Sequence, residues 1–133
     1  MKKVYKKISK DEKMIKVISD LPSNVLGFES SGTVTGEDYE TVLIPAVEVK
    51  LEEFPKIRLL YHLAPDFTGY DLKAAWDDAK VGLSHLTAWE KIAVVTDTEW
   101  VSSGVKVFGF VIPGEVRVFG NNELSTAKEW VSQ

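Results

Sequence analysis

Residues 57–63 read Ile-Arg-Leu-Leu-Tyr-His-Leu, and residues 91–96 read Lys-Ile-Ala-Val-Val-Thr. Both runs are nearly continuous in large or β-branched apolar residues, whereas a strand with one wet face alternates apolar with polar. Strands buried on both faces belong to mainly parallel sheets, and parallel neighbours need a crossover between them, usually a helix.

The flanking sequence supplies those crossovers. Thr35 stands before Glu37 and Asp38, an N-cap with acids in the first turn. Tyr39, Val42, Leu43, Ala46, Val47 and Leu51 then recur at three- and four-residue steps, so a helix runs to about Phe54. Pro45 inside it predicts a kink. A polar loop over 64–70, with Pro65 and Gly69, leads to a second helix over 71–89. Leu72, Ala75, Trp76, Ala79, Leu83 and Leu86 are its expected inner face. Asp97 is placed to cap a third helix over 98–111, stopped by Pro113 and Gly114. Residues 115–119 alternate as a last strand, and Asn122 is the expected cap of a final helix over 123–131. Upstream, 14–18 and 25–34 read as strands joined across a short polar interval with Asp20, Pro22 and Asn24, which favours an antiparallel hairpin. The order ββαβαβαβα specifies an α/β fold, a mostly parallel sheet packed with helices.

Composition bounds the rest. A chain of 133 residues, 44% hydrophobic, with net charge −4, fits one domain. The absence of cysteine excludes a disulfide scaffold, thiolate metal sites and a cysteine nucleophile. Residues 1–16 carry seven lysines against Asp11 and Glu12, a local +5, and the remainder carries −9. A basic arm over 1–13 is therefore expected before a single domain over 14–133. Such an arm serves either as a solvated leader or as a contact for an anionic surface. No apolar run follows the lysines and none reaches membrane-spanning length. The expected compartment is the cytoplasm, and nucleic acid is not an expected partner.

Several phrases together carry a family resemblance. They are Leu-Pro-Ser-Asn-Val-Leu-Gly-Phe at 21–28, Lys-Ile-Arg-Leu-Leu-Tyr at 56–61 and Trp-Asp-Asp-Ala-Lys at 76–80. Ile-Ala-Val-Val-Thr-Asp at 92–97 and Phe-Gly-Phe-Val-Ile-Pro-Gly-Glu-Val-Arg-Val-Phe at 108–119 complete the set. Over 14–132 the chain resembles the SpoIIAA-like family, relatives of the STAS domain. The resemblance implies a STAS-like sheet of four or five strands and kinship with CRAL-TRIO lipid-binding domains. It supplies no reaction.

Four groups of residues are candidates for function. Asp66, Thr68 and Gly69, in Asp-Phe-Thr-Gly, are similar to the Asp-x-Ser-Gly phosphorylation segment of STAS antagonists, which makes Thr68 a candidate phosphoacceptor in a partner-binding loop. The plainer reading is a turn at a helix entry. Asp77 and Asp78 can divide acid and base roles, but adjacent helical residues point about 100° apart. A solvated helix face with a Lys73 pair is the plainer alternative. His62 with Asp66 is the one arrangement that suggests a hydrolase-like enzyme; His85, the other histidine, sits near a helix end. Finally, Trp100, Val105, Phe108 and Ile112 belong to a helix apolar around most of its circumference. It is either core, a homodimer contact, or the wall of an apolar ligand site shared with Tyr61, Phe67, Tyr70 and Trp76. The combined expectation is a non-catalytic domain that binds an apolar small molecule or lipid, without cofactor or metal. A regulatory protein partner, controlled through Thr68, is the alternative.

Overall fold

The computed structural model describes residues 14–133; the basic arm over 1–13 lies outside them. Five strands form one sheet in sequential order: β1 (Ile15–Ile18), β2 (Val25–Val34), β3 (Ile57–Tyr70), β4 (Trp89–Val95) and β5 (Glu115–Phe119). β1 and β2 pair antiparallel as a hairpin, and every later pairing is parallel. Helix α1 runs between β2 and β3 in three parts: Gly36–Asp38, a π turn over Tyr39–Leu43, and Ile44–Glu53. α2 is Leu72–Ser84, α3 is Glu99–Phe108 and α4 is Leu124–Ser132.

The alternation of strand side chains sorts the core into two layers. Leu26, Phe28, Tyr61, Leu63, Ile92 and Val94 point to one face, where α1, α2 and α3 add Tyr39, Leu43, Val47, Ala74 and Val101. Val25, Leu60, Ala93 and Val95 point to the other, where Ala127, Trp130 and Val131 of α4 cover them. This two-sided burial is what made 57–63 and 91–96 read as unbroken apolar runs. α4 is also held at its C-terminal end by cations. Lys91 Nζ donates to the Trp130 carbonyl at 3.0 Å and Arg58 Nη1 to the Val131 carbonyl at 3.0 Å. Both serve carbonyls of the last turn, at the negative end of the helix dipole. Lys91 and Arg117 further lie over the Trp130 ring.

α1 opens as its sequence indicates. Asp38 N–H donates to Thr35 Oγ1 at 3.2 Å, and Thr35 N–H donates to Asp38 Oδ2 at 2.8 Å, a reciprocal cap. The other Asp38 oxygen accepts from Met14 N–H, tying the start of β1 to the helix. Pro45 leaves its mark as the π turn that precedes it. With no N–H on Pro45 the regular ladder is interrupted, and Ile44 N–H bonds the Tyr39 carbonyl five residues back.

Five expectations need correction. The loop over 64–70 is strand. β3 continues to Tyr70 because β2 runs beside it to Val34, with register shifts around Gly32, whose φ is 60°. Pro65 is tolerated there because β4 pairs with β3 only as far as His62. The second helix stops at Ser84, and Trp89 opens β4 opposite Ile57. Leu72, Trp76 and Leu83 face outward, while Ala74 and Asp77 are buried. Polar anchors set this rotation: Asp71 caps the Ala74 N–H at 2.7 Å, and Lys73 pairs with Glu40 at 2.6 Å. The third helix ends at Phe108, and Asp97 does not cap it. The Asp97 carboxylate instead accepts from Asn121 N–H and Asn121 Nδ2. Asn122 is not the last helix's cap; a short 3-10 turn intervenes, in which Glu123 accepts from Gly120 N–H at 2.8 Å.

Trp130 seals the second layer against Phe119. Trp130→Ala is expected to lower the unfolding free energy by about 3–5 kcal/mol. Urea denaturation checks this, and a loss under about 1 kcal/mol would show that α4 contributes little to the core.

Candidate functional site

β3 alternates across the sheet, so Tyr61 and His62 serve opposite faces. Tyr61 points toward α1, α2 and α3, where it meets residues from three other elements. Ser30, fully buried on β2, donates through Oγ to Tyr61 OH at 3.0 Å. Tyr39, brought inward on the π turn of α1, lies 3.0 Å from Tyr61 OH and donates to Asp78 Oδ1 at 2.6 Å. A hydroxyl has one hydrogen, so these contacts allow one consistent direction. Ser30 donates to Tyr61, Tyr61 to Tyr39, and Tyr39 to the Asp78 carboxylate. Tyr70, from the extended end of β3, adds a longer contact to Tyr61 OH at 3.5 Å.

This chain closes one end of a cavity of about 380 Å³ between the sheet and helices α2 and α3. Leu59, Leu63, Ile92 and Val94 form its sheet side, and Trp100, Val101, Val105 and Phe108 its α3 side. Tyr61, Tyr70 and Asp78 are the polar groups on its wall. Among the described residues that line it, none is lysine, arginine or histidine.

Asp78 is exposed at the edge of the cavity it borders. Protein packed around the carboxyl raises its pKa from the ordinary carboxylate value through lost hydration, opposed by the Tyr39 hydrogen bond. Desolvation likewise pushes Tyr61 up to about 12, and raises Tyr39 and Tyr70 well above the usual phenol value. Asp77, next along α2, is buried with Oδ2 unpartnered among the described residues. The solvated face expected for this pair of aspartates holds for one of them only: Asp77 is buried, and Asp78 is exposed at the cavity edge.

The structure distributes the sequence candidates unevenly. Tyr61, Tyr70, Trp100, Val105 and Phe108 line the cavity together. Phe67 stands beside it, its ring 5.1 Å from that of Tyr70 and 6.3 Å from that of Trp100. Ile112 is buried in the same core layer without reaching the wall, and Trp76 is 64% exposed on the outside of α2. Thr68 lies within β3, its Oγ1 2.8 Å from Thr33 Oγ1; the helix N-terminus is capped by Asp71 instead. Asp66 is exposed, and Gly69 takes a φ of 142° in the strand. His62 does not join Asp66; its Nε2 lies 2.7 Å from Asn121 Oδ1, on the face covered by α4. Ser30, Tyr39 and Asp78 were not singled out from sequence as partners. The available signal was that three of the four tyrosines fall on elements facing one layer.

A carboxyl whose pKa is higher folded than unfolded holds more protons in the folded state. Stability then falls as pH rises from the unfolded value through the folded one. Asp78→Asn removes this titration and keeps an oxygen to accept from Tyr39. The variant is expected to be more stable than the parent at neutral pH, with the gain shrinking in acid. Urea unfolding across that pH range checks this, and a pH-independent difference would contradict it.

Among the described residues no helix is long and apolar enough to cross a membrane. Comparison with curated proteins finds no match. Among solved structures, the chain is similar to an uncharacterized protein of the DUF3478 family with a SpoIIAA-like fold from Shewanella loihica PV-4. The two are 28% identical with a TM-score of 0.71, over 91% of this chain and 96% of the other. The SpoIIAA-like family model matches residues 25–132, from β2 through α4. The chain belongs to the SpoIIAA-like family.

Proposed function

We propose that this protein binds an apolar small molecule or lipid in the cavity between the sheet and helices α2 and α3. The observation that carries this reading is the cavity's chemistry. Its volume of about 380 Å³ falls in the range of small-molecule sites, roughly 300–1,000 Å³. Its walls are aliphatic and aromatic, and its few polar groups converge at one end, as orienting groups do. Small residues contribute to the space. A side chain at Gly82 would press on Phe108, while one at Gly104 would meet nothing within 4 Å. The kinship with CRAL-TRIO domains supports the same reading, since an apolar helix covers the lipid site there and α3 walls the cavity here.

The outward faces of the two covering helices fit a ligand that arrives from apolar surroundings. Leu72 and Trp76 on α2 and Val107 on α3 are exposed, and Leu83 and Trp100 are exposed at the cavity edge.

The direct test is native mass spectrometry of the purified protein, combined with titration by the apolar dye Nile red. A co-purified apolar mass, or saturable dye binding displaced by a fatty alcohol, is expected. Gly104→Phe places a ring at a lining position with open space, so it should weaken dye binding at least tenfold while leaving thermal stability within a few degrees. Dye binding that is absent in the parent, or unaffected by Gly104→Phe, would contradict the proposal.

A further inference from the structure

We propose that the ligand is an apolar amine, held with its ammonium group on Asp78 and its hydrocarbon part in the cavity; this rests on the cavity being the binding site. The first ground is the arrangement of hydrogens. In the chain from Ser30 through Tyr61 and Tyr39, each donor is used within the chain and the last one ends on Asp78 Oδ1. Besides the Tyr70 hydroxyl, which makes only a 3.5 Å contact to Tyr61, the polar end of the cavity presents one negative charge. Asp78 Oδ2 accepts no hydrogen bond from any described residue, and it belongs to a residue on the cavity wall. A ligand donor is the complement to that oxygen.

The second ground is the charge around Asp78. From α1 it meets Tyr39, and from β3 Tyr61 and Tyr70. The cavity residues of β4 and α3 are Trp89, Ile92, Val94, Trp100, Val101, Gly104, Val105 and Phe108, none titratable. On its own helix, Lys73 is paired with Glu40 beside the buried Asp77. A carboxylate or phosphate headgroup would thus meet a like charge with no lining cation to offset it. An ammonium would meet an opposite charge at the cavity wall. A third ground is aromatic. Tyr70 and Trp100 both line the cavity, edge to face with ring centroids 6.1 Å apart, and an aromatic ring face on such a wall attracts a cation.

Displacement of Nile red by decylamine, decanol and decanoate separates the possibilities, because the three share one chain and differ in the head. At neutral pH decylamine should bind at least tenfold more tightly than decanol, and decanoate more weakly than either. Asp78→Asn should abolish the amine's advantage over decanol. In the parent that advantage should also decline as pH falls and Asp78 takes up a proton, a readout that does not depend on a variant. Equal binding of amine and alcohol, or an amine preference that survives Asp78→Asn, would overturn the amine assignment while leaving the cavity as an apolar site. If none of the three displaces the dye, the cavity reading falls with it.

Discussion

The Tyr39 hydroxyl donates to Asp78 across 2.6 Å, and the placement of α2 depends on that contact. α2 turns Leu72 and Trp76 to the outside, so only smaller apolar residues, Ala74 and Val81, pack it on the core. Two polar ties to α1 add to them: the Lys73–Glu40 pair near the N-terminal end of the helix and the Tyr39–Asp78 bond at its middle. The space beneath α2 is consequently walled by apolar residues from the sheet and α3 without being filled by α2's own large side chains.

The two faces of the sheet illustrate how differently one fold can use burial. On the α4 face, Trp130 and Val131 close tightly on Val25, Leu60, Ala93 and Val95, and cations satisfy the helix's terminal carbonyls. That layer is built for stability. On the opposite face, α1 packs closely through Tyr39, Leu43 and Val47, but the region under α2 and α3 carries a polar chain and a cavity. Burying Ser30, Tyr61 and Tyr39 there is tolerable because each hydroxyl has a partner. Asp77 is the exception, buried with Oδ2 unpartnered among the described residues. Local rules broken at one place and kept elsewhere are a mark of functional sites.

Much of the fold was legible in the sequence because its signals are local. The unbroken runs at 57–63 and 91–96 report two-sided burial, Thr35 and Asp38 report a capped helix start, and the short interval at 19–24 reports a hairpin. Legibility failed where distant pairing overrode local preference. Pro65 and Gly69 read as a loop, yet β2 extends beside them and keeps them in β3. Trp89 fits a helical spacing, yet pairing with Ile57 places it in β4. The candidate site's aromatic wall was legible in part: Trp100 and Phe108 belong to a helix more apolar than packing required, and Tyr61 and Tyr70 were candidates to share its cleft. Its polar end was not legible. The Tyr39–Asp78 contact joins residues 39 positions apart and depends on a π turn and on the rotation of α2.

The central physical claim is that an apolar space exists under α2 and α3 with a hydrogen-bonded carboxylate at one end. Apolar cavities that lack side chains to fill them take up xenon. Crystals pressurised with xenon should show density between Leu59, Val94, Val101 and Val105, with the Tyr39–Asp78 bond intact. A map in which α2 has closed onto the sheet, its leucines and Trp76 occupying that space and no xenon bound, would contradict the account.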